Sequence, residues 1–116
     1  MSLRHARSGE IIVLSPFGVD VTQARTAAIV KNDAFEAIRL VVHVGKDIKT
    51  HSVDGPTTIQ CLEGRAIIGL PQAEIQISAG QWLYLEENVP HSVTAVEHTC
   101  LLVTIIFPQN AQARGR

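Results

Sequence analysis

The sequence is short of cysteine, of excess charge of either sign and of long apolar runs, and each shortage closes off a class of protein. Its two cysteines, Cys61 and Cys100, are too few for the disulfide framework of a small secreted domain. Met1 to Glu10 carries charges but no apolar stretch of the kind a secretory leader needs. Both observations point to a reduced, cytoplasmic protein. Ten Lys and Arg stand against eleven Asp and Glu, a net charge of −1, so the electrostatic footprint that phosphate backbones require is missing. Nucleic acid is therefore not an expected partner. No apolar run nears the roughly 18 residues of a membrane-spanning helix, so a membrane is not expected either.

What the chain does have is a regular supply of short strands. At 116 residues it has the length of one domain with one core. Between polar, loose ends at residues 1–10 and 109–116, the expected domain, residues 11–108, carries eight β-branched or apolar runs: "IIVL", "AIRLVVHV", "TTIQCL", "RAIIGL", "EIQIS", "QWLYL", "HSVTAV" and "CLLVTIIF". Turn residues separate them at Gly45, Asp54-Gly55-Pro56, Gly64, Pro71, Gly80 and Asn88 to Pro90. Such spacing predicts an all-β antiparallel sandwich or barrel. Residues 21–28, "VTQARTAA", leave room for one short helix, whereas Ile38, Leu40, Val42 and Val44 alternate with period two and predict a strand. Leu62-Glu63-Gly64-Arg65 reads as a hairpin tip whose glycine takes a positive φ. Val89, preceding proline, is biased to an extended backbone that aims His91 along a new strand.

The turns and histidines together resemble the cupin family, which carries a first motif G-x5-H-x-H-x3,4-E-x6-G and a second G-x5-P-x-G-x2-H-x3-N. Gly45 leads through five residues to His51, and Gly64 stands where the first motif's last glycine belongs. Gly80 and His91 keep the second motif's separation, and "VPHSV" spans Val89 to Val93. The resemblance runs from about Ile38 to Phe107. It implies a single-domain double-stranded β-helix, a jelly-roll barrel with one small interior. It also implies a metal centre of three histidines and a glutamate, of which this chain keeps His51 and His91; Val53 and Thr57 replace the other first-motif ligands. Glu86, Asn88 and Ala95 also depart from the second motif.

Valine cannot coordinate and a neutral threonine hydroxyl is a poor ligand. The remaining metal candidates are thus His51 and His91, for one divalent ion among which zinc, iron, manganese, nickel and copper are not distinguished. Cys61 shares strand parity with Thr57 and Ile59 and is a further donor if it faces the interior, although a free cysteine more often acts as a small buried apolar residue. Asp54 is a weaker donor candidate beside its turn. The expected small-molecule pocket is lined by His51, Val53, Thr57, Ile59, Cys61, His91 and Val93, an apolar wall with few polar groups.

Two functions follow from that pocket. One is a binding or sensing barrel that takes a small molecule beside an incomplete, two-histidine metal site. The other is a metal-dependent enzyme, dioxygenase-like or isomerase-like, with His51 and His91 as ligands. His43, on the parity of Arg39, and His98, in the turn "VEHT", receive no site role. Residues 100–107 and 82–85 are apolar on both parities, which predicts cover on two faces and a homodimer.

Overall fold

The chain's computed structural model describes residues 5–108; the expected loose tail, residues 109–116, and residues 1–4 lie outside the described part. A 3₁₀ turn over Gly18–Gln23 is followed by nine strands: β1 (Ala27–Lys31), β2 (Phe35–Val42), β3 (Ile48–His51), β4 (Thr57–Glu63), β5 (Arg65–Gly69), β6 (Glu74–Ser78), β7 (Trp82–Leu85), β8 (His91–Ala95) and β9 (Thr99–Ile106). All recorded pairings are antiparallel. They form a five-stranded sheet in the order β1-β2-β9-β4-β7 and a four-stranded sheet in the order β3-β8-β5-β6.

Period-two patterning explains the strands that face each other. On β4, Thr57, Ile59 and Cys61 are buried while Gln60 is exposed; on β8, His91, Val93 and Ala95 are buried while Thr94 is exposed. Between the sheets, Ile59, Ile68 and Leu101 are fully enclosed, each contributing about 2 kcal/mol of apolar burial. β9 lies at the centre of its sheet, between β2 and β4, so its burial reflects neighbours on both edges. β7 is an edge strand: Leu83 and Leu85 turn inward, while Trp82 and Tyr84 stand exposed.

Gly64 has φ of 86°, as its turn position predicts. It does not, however, close a hairpin. β4 and β5 belong to different sheets and do not pair, so the glycine is a corner at which the chain crosses from one layer to the other. The corner is tight, since a Cβ at Gly64 would press on the His98 carbonyl and on Thr99.

The first third of the chain departs most from expectation. "IIVL", Ile11 to Leu14, is not a strand but part of an irregular arm over the outer face of β1 and β2. Residues 21–28 form no α-helix: the 3₁₀ turn stops at Gln23 and β1 starts at Ala27. Residues 5–10, almost all exposed and without helix or strand, touch the sheet at one main-chain bond. The Ala6 N–H donates to the Ile29 carbonyl at 2.7 Å, because the edge strand β1 has main-chain groups to satisfy.

Candidate functional site

Strand pairing brings the two motif histidines together. β3 runs antiparallel to β8 with His51 directly opposite His91, so both side chains leave the same face. Their ring centroids are 4.5 Å apart and the planes are tilted by 54°. His51 is exposed at the rim, whereas His91 is only 6% exposed.

Each ring is held in the same way. Nδ1 of His51 lies 3.0 Å from the Lys49 carbonyl, and Nδ1 of His91 lies 2.9 Å from the Val89 carbonyl. A carbonyl only accepts, so Nδ1 must carry the proton on both rings. In the neutral imidazole Nε2 is then a lone-pair acceptor. Among the described residues neither Nε2 has a protein partner, which leaves a buried acceptor on His91 unsatisfied. The groups that orient the rings are backbone carbonyls and not carboxylates.

The cavity against these rings has a volume of about 160 Å³ and is walled by Ile38, Leu40, Ile48, Ile59, Val93 and neighbouring β9 side chains. Of the seven pocket residues expected from the sequence, His51, Ile59, His91 and Val93 line it. The other three do not. Val53 follows the end of β3 and lines a separate surface pocket with Asp54 and Gly55, because strand parity no longer governs a residue outside the strand. Thr57 is 2% exposed on the inner face of β4 and its hydroxyl donates to the Gly55 carbonyl at 3.4 Å. Cys61 also points inward, but toward the Gly64 corner, where its thiol lies 3.4 Å from the Glu63 carbonyl and 3.5 Å from that of Gly64. Burial pushes the Cys61 thiol pKa up, which disfavours the thiolate that a metal would need.

The donor set decides how far a metal fits. Among the described residues no three His, Cys, Asp or Glu side chains converge. A catalytic zinc site ordinarily takes three protein ligands, and His51 and His91 supply two. The residues present therefore do not fit the four-ligand centre that the motif resemblance implied.

His43 and His98, given no role from sequence, meet 3.2 Å apart through their Nδ1 atoms with rings edge to face. His43 Nε2 also lies 3.1 Å from the Ala24 carbonyl, which requires a proton there. His98 Nδ1 also accepts from the Val44 N–H at 3.4 Å. This clasp ties the end of the arm to β2 and to the β8–β9 turn. His98→Ala removes both contacts and should cost about 1–2 kcal/mol of stability, at a usual net value of about 1 kcal/mol for a hydrogen bond, read as a lower denaturation midpoint at unchanged m-value.

The architecture is matched by solved structures. A conserved protein of unknown function from Streptococcus pyogenes aligns with a TM-score of 0.74 at 19% identity, covering 95% of this chain and 97% of that one. A cupin superfamily protein from Desulfitobacterium hafniense gives 0.69 at 16% identity over 72% of this chain and 76% of its own. An RmlC-like cupin with a double-stranded β-helix fold from Methanocaldococcus jannaschii gives 0.65 at 14%, covering 70% and 77%. No protein-family model matches the sequence, and no curated protein matches it. The fold is the cupin double-stranded β-helix, as the two motifs implied. Among the described residues, no helix is long and apolar enough to cross a membrane.

Proposed function

We propose that the protein is a cupin-fold binding module whose barrel cavity takes one small, mostly apolar molecule bearing a hydrogen-bond donor, held by His51 and His91. The observation that carries this reading is the buried Nε2 of His91, an acceptor with no protein partner, beside an aliphatic cavity of about 160 Å³. An apolar wall with two convergent polar groups is the usual make-up of a small-molecule site. A ligand without a donor leaves that acceptor desolvated and unpaired, which costs about 1–3 kcal/mol.

Phenol and toluene are a matched pair of probes, sharing a ring and differing in the donor. Phenol should bind saturably, about tenfold more tightly than toluene, and should shift the ¹⁵N resonance of His91 Nε2. His91→Leu should abolish the preference. Equal binding of the two probes, or a phenol preference that survives in His91→Leu, would overturn the assignment.

A second reading is supported by the anchoring of both rings. Metal-binding imidazoles commonly donate their other N–H to a carbonyl or carboxylate, as His51 and His91 do. In that reading His51 and His91 would hold a divalent ion, which would supply the Lewis acidity that the dioxygenase-like or isomerase-like role needs.

A further inference from the structure

A larger cavity lies outside the barrel, between the N-terminal arm and the outer face of β1 and β2. Its volume is about 560 Å³, within the 300–1,000 Å³ range usual for small-molecule sites. Ile12, Leu14 and Phe17 of the arm form the roof, and Ala27 and Ile29 of β1 form part of the floor. Ala27 pairs with Arg39 of β2 and shares its face, so the small methyl leaves open the space beside the guanidinium.

The arm is fastened at both ends. Ala6 N–H bonds the Ile29 carbonyl at one end. At the other, Arg39 donates through Nη1 and Nη2 to the Val13 and Ser15 carbonyls, and the Glu63 carboxylate accepts from the Phe17 and Gly18 N–H groups at 2.8 and 2.9 Å. The roof therefore spans the space without filling it.

Arg39 gives the cavity its charge. Its guanidinium lies 4.0 Å from the centre of the Phe17 ring and donates to two carbonyls and, through Nε at 3.2 Å, to the Cys100 sulfur. Among the described residues these partners are all neutral, and no carboxylate pairs with the half-buried cation. A guanidinium has five N–H donors in a planar fork suited to a carboxylate, and three are accounted for. Arg25 adds a second cation to the lining and Glu10 an anion, whose Oε1 accepts from the Arg7 N–H.

We propose that this cavity is a second ligand site, separate from the barrel, for an amphipathic anion: a carboxylate head on Arg39 with an aliphatic body under Ile12, Leu14 and Phe17. Octanoate is the probe and 1-octanol its uncharged counterpart, compared by calorimetric titration of the full chain. Octanoate should bind at least about tenfold more tightly than octanol, the discrimination expected of a charge-assisted pair. Arg39→Met should remove that difference. Because Arg39 also fastens the arm, Ala27→Phe serves as the second variant: it keeps the guanidinium, fills the space beside it and should weaken octanoate at least tenfold. His91→Leu should leave octanoate binding in place. Equal affinity for the two probes, full octanoate binding in Ala27→Phe, or loss of octanoate binding in His91→Leu would each overturn the proposal, the last by placing the ligand in the barrel.

Discussion

Gly55→Ala is expected to destabilise the fold by about 4 kcal/mol or more, a large part of the 5–15 kcal/mol available to an ordinary domain. Gly55 lies in the link between β3, which carries His51, and β4, which carries Ile59. A Cβ there would fall on the carbonyl oxygen of Ile106, far inside van der Waals contact, and 2.7 Å from its carbon. Neither side of this contact can yield by rotating a side chain, since both are backbone. Ile106 ends β9 in the middle of the five-stranded sheet, and its N–H donates to the Pro56 carbonyl at 2.9 Å. Relief would require the link or the end of β9 to move, and moving the link shifts the strand that places His51.

Gly45→Ala provides the comparison. Gly45 has φ of 85° but nothing near its added Cβ, so that variant bears only the backbone penalty of about 1–2 kcal/mol. In urea denaturation the Gly55 variant should lose at least twice the stability lost by the Gly45 variant. Equal losses would mean that the close approach of Gly55 to Ile106 is not a constraint on the fold.

The strands that face the core were legible because their burial alternates with their composition. β4 to β9 each coincide with an apolar or β-branched run, and the cupin spacing of Gly45, His51, Gly64, Gly80 and His91 supplied the topology that propensity alone cannot. β1 and β3 were missed for a common reason. "AAIVK" opens on two alanines and "IKTH" is mostly polar, so both owe their strand state to partners β2 and β8 and not to local preference. "IIVL" misled in the opposite direction, being apolar without being a strand.

The site divides along the same line. His51 and His91 stand forty residues apart in sequence, and their pairing was readable only through the two motifs. Cys61 shows the limit of parity: alternation placed it inward correctly, but not where along β4 it would lie, and its thiol ends at the Gly64 corner. The His43–His98 clasp depends on where β2 ends relative to the turn before β9, a register that no local pattern encodes.

Thr57→Glu carries the second large effect, and it tests what separates this barrel from a metal centre. Thr57 is 2% exposed on β4, with Leu85 and Ile105 as its strand partners. A glutamate there places a carboxyl group among aliphatic side chains, and without a partner it should cost about 3 kcal/mol or more. Ile59 and Ile105, next to it on the inner face, both line the cavity at His51 and His91. The longer side chain thereby brings a carboxylate toward two imidazoles whose Nε2 atoms are unpledged, making a set of two histidines and one glutamate of the kind that binds zinc. Zinc should then recover the lost stability, by about 2.7 kcal/mol at a hundredfold excess over its dissociation constant, while stabilising the unaltered protein less. Val53→His should add little to this recovery, because Val53 lines the neighbouring surface pocket and not the barrel cavity. Thermal denaturation with and without zinc separates the outcomes. Equal stabilisation of the unaltered protein would show that two histidines already suffice, and recovery only in the double variant would put residue 53 back among the ligands.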